Sequence, residues 1–267
     1  MSQNQITIRV WGDYACFTRP EMKVERVSYP IMTPSAARGV LEAIFWEPEI
    51  YYLIDAIHAI RRGRWFSFRR NEVISVISLD SAKTWMKSPE KTSPIQAGGG
   101  APDGTQRNML ALQEVEYLIT AEIHRSKLNS KHPEKTYLEE IKRRAISGKC
   151  FHRPYLGVRE FAADFEWEEE AQAALERRSA ELGKNCQSLW PEEDLGLMLY
   201  DVFDHEQRSE GFRWRSEADL FGKKSTVKWE GKLVKPEAAF FHAQIKDAKL
   251  DCHPERVRLL RNRIVGG

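Results

Sequence analysis

Ile6, Ile8 and Val10 alternate with Thr7 and Arg9, the period of a half-buried strand, and the run leads into Trp11-Gly12-Asp13-Tyr14. A loop follows through Arg19-Pro20 to Pro30. Thr33-Pro34 has the form of an N-cap with proline at the first helical position. Ala37, Val40, Leu41, Ile44 and Phe45 then recur at helical spacing, which predicts a helix ending near Pro48. Residues 50–60, IYYLIDAIHAI, are rich in β-branched and aromatic side chains and predict a strand. RRGR at 61–64 predicts a turn of the chain, with Trp65 to Arg70 as a second extended arm. Residues 80–106, carrying Ser, Thr, Pro, Lys and the run AGGGAPDGT, predict a mobile loop. Gly98-Gly99-Gly100 matches no phosphate-binding loop, because no GK[ST] follows it.

Strand character returns from Met109 to Ile123. The stretch from Lys131 to Glu160 then packs a helix, a turn and a strand into a short span. Pro133 suits the first helical turn and Gly148 the left-handed position after the last. Tyr137, Leu138, Ile141 and Ala145 form the apolar stripe, while Lys135, Lys142 and Arg143 lie off it. YLGVREFAADF, 155–165, predicts a closing strand. The order is strand, helix, strand, insertion, strand, helix, strand. That is the split βαβ arrangement of ferredoxin-like and RNA-recognition folds, so the fold class expected is α+β. A composition shift near Trp167 divides the chain into an α+β domain at 1–167, an acidic solvated helix or linker at 168–190, and a C-terminal unit at 191–267. In that unit LGLMLYDVFD, STVKWEGKLV and AAFFHAQIKDAKL predict a small antiparallel sheet, and the basic tail HPERVRLLRNRIV is compatible with a helix or a frayed end.

At 267 residues the chain can bury a sizeable core, and a net charge of +2 carries little information about partners. The segregation of charge carries more: Arg61 to Arg70 and Lys142 to Arg159 are basic, whereas Glu166 to Glu170 is acidic. Arginines interleaved with Trp65, Phe66 and Phe68 are the pattern of single-stranded nucleic acid binders, and equally that of an aromatic cluster with solvated arginines. Cys16, Cys150, Cys186 and Cys252 form no CxxC pair, so reduced thiols are expected. The seven histidines are scattered and no HxxxH, HExxH or DxD cluster appears, so neither a metal nor any other cofactor is expected. No apolar leader or membrane-spanning run is present, which predicts a soluble, cytoplasmic protein.

Four segments carry a resemblance in one order: WGDYACFTRPEMKVERVSYPIMTPSAARGVLEAIFW, FRRNEV, QRNMLALQEVEYLITAEI and GKCFHRPYLGVREF. Together they resemble the type I-C subunit of the CRISPR-associated Cas family five, subtype d. The likeness is close over 5–165 and looser through the C-terminal strands. It implies a modified ferredoxin-like domain, here 1–167 as the RNA-binding and processing domain, with a small C-terminal antiparallel β domain. It further implies metal-independent cleavage of CRISPR precursor RNA at the repeat hairpin, and retention of the 5′ handle of the mature guide RNA among the other subunits of a surveillance complex.

Metal-free RNA cleavage uses the ribose 2′-OH as nucleophile, so a site must remove its proton, stabilise the phosphorane and protonate the departing 5′ oxygen. The resemblance aligns the family's lysine with Lys135. Where relatives carry a histidine and a tyrosine, this chain has Thr136 and Phe45-Trp46. His132, three residues before Lys135, is the candidate substitute, and Tyr14 and Tyr137 are further phenols. Arg38, Arg61, Arg62, Arg64, Arg69, Arg70 and Arg143 are the candidate RNA-binding residues. An endoribonuclease, a binding-only 5′-handle subunit and a duplex DNA binder all stay open at this point.

Overall fold

The computed structural model describes residues 4–98, 100–128, 132–203, 205–211 and 237–261. The opening alternation becomes strand β1 (Gln5–Ala15), and Arg26–Val27 adds the short β2. Thr33 caps helix α1 (Pro34–Ile44) by accepting the Ala36 N–H at 3.2 Å, with proline at the first position as expected. Strand β3 (Ile50–Arg61) and strand β4 (Arg64–Val73) follow, then helix α2 (Leu79–Lys87) and the long strand β5 (Gly104–Arg125). Helix α3 (Glu134–Ile146) starts one residue after Pro133 and ends before Gly148, which takes φ 65°. Next come β6 (Asp164–Trp167), α4 (Ala171–Leu182), β7 (Glu192–Asp201) and the short α5 (His205–Ser209). Strands β8 (Ala239–Lys246), β9 (Lys249–Asp251) and β10 (Leu259–Arg261) complete the described chain.

All ten strands join one large sheet built on β5. Along one edge of β5 lies β1, from Gln5 opposite Glu122 to Ala15 opposite Leu112, and β6 pairs beyond β1. Along the other edge lie both β3 and β4, and here the sequence expectation fails. RRGR does not turn the chain: Arg61 pairs with Glu116 and Arg64 with Gln113, so β4 continues in the direction and register of β3. The interruption is a kink, with Gly63 at φ 80° facing Glu114 at φ 58°. A Cβ at Gly63 would lie 2.7 Å from the Val115 side chain, so glycine here serves close approach as well as backbone freedom.

Three further expectations are corrected. Residues 79–87 are helical, capped by Ser78, and Gly104 already belongs to β5, so the 80–106 segment is not a loop throughout. YLGVREFAADF is not a strand: Tyr155 bridges Ala162, Leu156 N–H reaches Phe161 O at 2.8 Å, and only Asp164 onward pairs. Gly157 permits that fold-back: it takes φ 87°, and any Cβ there would sit 2.1 Å from Cys16 O. The tail forms neither a helix nor a frayed end at 259–261 but β10, paired with β8. Gly99, Lys131, the strand expected at 225–234 and the end of the tail lie outside the described residues.

The sheet buries two faces. α1 and α3 cover one, with Val40, Leu41, Ile44, Tyr137 and Ile141 packed on Ile8, Ile57 and Ile119. α4 covers the other: of the helix or linker expected at 168–190, Ala171–Leu182 is helix, and its Ala174 and Leu175 pack on Ile60, Leu118 and Cys186, so that side of it is docked on the sheet. Buried Glu116 pins it there, accepting from Arg178 Nε at 2.7 Å and Arg9 Nη1 at 3.0 Å. Burial alone would raise the Glu116 carboxyl, but the Arg178 and Arg9 bonds outweigh burial and hold it below its ordinary value. A second buried cluster ties α1 to β7: Arg38 donates to Asp201 at 2.6 and 3.1 Å and also to Glu42, while Arg208 reaches Glu42 at 2.7 Å.

Candidate functional site

The chain leaves α1 at Phe45 in extended conformation, and the buried Tyr52 hydroxyl donates to Phe45 O at 2.7 Å. Residues 45–49 thereby pass beneath the first turns of α3. The start of α3 is fixed from the other side, where Glu134 accepts from Asn4 Nδ2 at 2.6 Å and from the Arg125 N–H at 3.2 Å. Between these segments opens a cleft of about 660 Å³ lined by Phe45, Glu49, His132, Thr136, Tyr137 and Arg143, among others.

Its floor is ordered. Tyr137 is buried, its hydroxyl donates to Glu49 Oε2 at 2.7 Å, and its ring lies 6.4 Å from Phe45 and 6.1 Å from His132. Arg144 stacks over the Phe45 ring at 5.1 Å, the range of a cation–π contact. Glu140 accepts from Arg143 and Arg144, and these bonds push its carboxyl down to about 2, so it is ionised and partly neutralises both arginines. An imidazole, a carboxylate-anchored phenol and guanidinium groups around one polar cleft can move a proton and hold an anion.

The structure brings His132 and Arg143 into this cleft and leaves Lys135 at its rim, where Nζ lies 3.8 Å from the cleft-lining Glu139 and the side chain is 82% exposed. The remaining arginines are scattered. Arg38 is enclosed by Asp201 and Glu42 in the buried cluster, which withdraws it from the surface. Arg61 pairs with Glu116, Arg62 with Glu193 over the Trp190 ring, and Arg64 with Glu114. Arg70 is held by Glu72 and Glu160. Arg69 is exposed and meets no acid among the described residues. β4 sorts its aromatics by face: Phe66 and Phe68 stack in a cluster with Tyr14 and Phe161, whereas Trp65 lies on the Arg69 face, 51% exposed.

Glu49 and Arg144 belong to the site without having been candidates. Arg144 stands four residues after Glu140, a signal available from helical spacing, but Glu49 meets Tyr137 across 88 positions and nothing local marks the pair. Among the described residues no group of three or more His, Cys, Asp or Glu is arranged to hold a metal ion, and no helix is long and apolar enough to cross a membrane.

The family model Cas5d, whose description is CRISPR-associated protein (Cas_Cas5), matches residues 5–247. A CRISPR pre-crRNA endoribonuclease Cas5d from Thermus thermophilus is 43% identical over 256 residues, covering 96% of this chain and 94% of the relative. One from Mannheimia succiniciproducens is 40% identical over 212 residues, 79% of this chain and 90% of that protein. Two crystal structures share the fold: a CRISPR-associated protein at TM-score 0.54 and 17% identity, and a functionally uncharacterized protein from Streptococcus mutans at 0.51 and 14%. The first covers 92% of this chain and 90% of its own, the second 94% and 93%.

Proposed function

The chain belongs to the Cas5d family of CRISPR-associated proteins, and on that premise we propose that it is a pre-crRNA endoribonuclease working in the cleft between the end of α1 and the start of α3. The observation that carries the assignment is the content of that cleft. The family resemblance expects a tyrosine where Phe45 stands and a histidine where Thr136 stands. Tyr137 lies against Phe45 and His132 lines the same cleft as Thr136, so phenol and imidazole are supplied from neighbouring positions.

In this scheme His132 takes the proton of the 2′-OH, and Lys135 and Arg143 face the charge that builds on the phosphorane. The Lys135 ammonium also has a proton to return to the departing 5′ oxygen. Tyr137, its own proton committed to Glu49, presents an oxygen lone pair to the attacking hydroxyl. Arg143 must exchange part of its bond to Glu140 for the phosphate.

The same proposal takes 1–167 as a modified ferredoxin-like domain. In its support, β6, β1, β5 and β3 lie side by side in that order, all antiparallel, with α1 and α3 on one face. Residues 191–267 are the C-terminal β domain of the scheme, since β7 to β10 pair among themselves and join the rest of the sheet through β9 on β3. As a subunit of a surveillance complex the protein would keep the 5′ handle after the cut.

Incubation with cognate repeat RNA in excess EDTA tests the enzyme. Cleavage is expected, with a 2′,3′-cyclic phosphate on the upstream fragment. Tight binding with intact RNA would leave a binding-only subunit. Lys135→Ala should slow the cut by on the order of 10²-fold or more with a far smaller loss of affinity; equal losses in both would make Lys135 a grip residue.

Grip itself is assigned to the outward face of β4. Trp65→Ala should weaken RNA binding by about 1–3 kcal/mol, the worth of one base stack, and leave the melting temperature in place. Phe68→Ala, taken from the packed aromatic cluster, should lower the melting temperature instead. An effect of Trp65→Ala on melting alone would move the RNA path away from β4.

A further inference from the structure

On the α4 side of the sheet, opposite the α1–α3 face, lies a second polar cleft of about 550 Å³ between β3, β8, β9 and the segment before β10. Its base is a row of outward side chains set by strand register, in which His58 stands opposite Lys249 and Lys249 opposite Lys246. The turn from β8 to β9 is built from Asp247 and Ala248, both at positive φ without being glycine. It is held by N–H bonds from these two residues to Pro191 O and Trp190 O, each 2.7 Å, and by the Ala59 N–H to Ala248 O at 2.8 Å. The backbone that carries Lys246 and Lys249, at its two ends, is therefore held in place.

Four permanent cations line this cleft, Lys246, Lys249, Arg256 and Arg258, against two carboxylates, Asp247 and Asp251. Lys249 is engaged by Asp251 at 2.9 Å, and Arg256 by Asp55 at 2.6 Å and Asp251 at 3.4 Å. Lys246 and Arg258 face no carboxylate at ion-pair distance among the described residues. His242 is already near Asp194 at 3.4 Å. His58 has a buried Nδ1 with no hydrogen-bond partner, an arrangement that costs stability unless something completes it. Burial first, and Lys249 second, push the imidazole down to about 4, so it is a neutral donor and acceptor at physiological pH. Gln187 and Gln244 add two amides that both donate and accept.

Two uncommitted cations, a neutral imidazole and two amides in a volume typical of small-ligand sites form a complementary set for one phosphorylated nucleoside. We propose that this cleft is a second nucleotide-binding site, with Lys246 and Arg258 on the phosphate and His58, Gln187 and Gln244 on the base and ribose. The nucleotide is either free or one unit of a single strand; the chemistry recognised is the same.

The test uses the full-length protein with uridine 5′-monophosphate and, separately, a thymidine hexanucleotide, which lacks the 2′-OH and cannot be cut by the proposed chemistry. Either probe should shift the ring-proton NMR signals of His58 saturably. Lys246→Glu with Arg258→Glu should weaken that binding by about tenfold or more, at unchanged melting temperature. Lys246→Ala with Arg258→Ala is the control for the reversed charge and should weaken it in the same direction. A hexanucleotide that binds much more tightly, with a salt slope reduced by roughly 0.7 per lost phosphate contact in the variant, identifies a strand; similar affinities identify a free nucleotide. No shift of His58 with either probe, or an equal shift in both variants, overturns the site. Repeat-RNA cleavage at saturating RNA should be unchanged in the variants. Failure of the processing assignment would appear instead as an uncut repeat with the unmodified protein.

Discussion

A repeat RNA carrying a single 2′-deoxy nucleotide immediately before the cut is expected to bind with nearly unchanged affinity and to stay intact. The substitution removes the nucleophile and nothing else: every phosphate keeps its charge, so the counterion release that dominates affinity is preserved. The cleft around Tyr137 and His132 offers an imidazole and a carboxylate-anchored phenol to a hydroxyl already attached to the substrate, which makes the attack intramolecular and its loss complete on the assay timescale. Denaturing electrophoresis of both substrates, with binding followed by filter retention, decides the matter. Retained cutting of the deoxy substrate would mean that water attacks, and the roles assigned to His132 and Lys135 would fall with it.

Arg38→Ala is expected to destabilise the fold by about 3–5 kcal/mol, toward the lower end because Arg208 stays beside Glu42 and Asp201. At roughly 2–4 °C per kcal/mol for a chain of this size class, the melting temperature should drop by about 6–20 °C. The cause is the charge left behind. Burial alone would push the Asp201 carboxyl up; Arg38 and Arg208 hold it below its ordinary 3.8. In the unmodified protein Asp201 therefore contributes stability that is present above pH 3.8 and lost as pH falls through its lowered value. Without Arg38 that carboxyl rises, and the variant recovers part of its deficit on acidification, so the gap between the two proteins should narrow from pH 7 toward pH 4. A gap independent of pH would assign the loss to packing of the arginine stem.

Arg38 also shows where sequence reasoning stops. It sits on the polar side of a well-marked helix, as an RNA-binding arginine would, and its partner Asp201 is 163 residues away. Helices α1 and α3 were legible because caps, proline and apolar spacing are local signals. RRGR was not, since a glycine that turns a chain and one that kinks it look alike. Only pairing with β5, more than forty residues downstream, tells them apart. YLGVREFAADF has strand composition, yet the approach of Gly157 to Cys16 O decides its path. In the proposed site, Lys135 is reached through the family resemblance and His132 through its place three residues before Lys135, whereas nothing of either kind marks the Tyr137–Glu49 bond.

Because β4 and β5 hold each other over ten consecutive pairs, from Arg64 with Gln113 to Val73 with Gly104, the connection at 74–103 is not needed to set their register. None of its described residues is buried, α2 included. Its length is then a matter of closure entropy, which grows by only about 0.6 kcal/mol for each doubling. Insertions at its tip should be tolerated as readily as deletions, which makes this connection the natural place to graft a peptide tag or attach a fluorophore while the sheet, and both clefts on it, stay as they are.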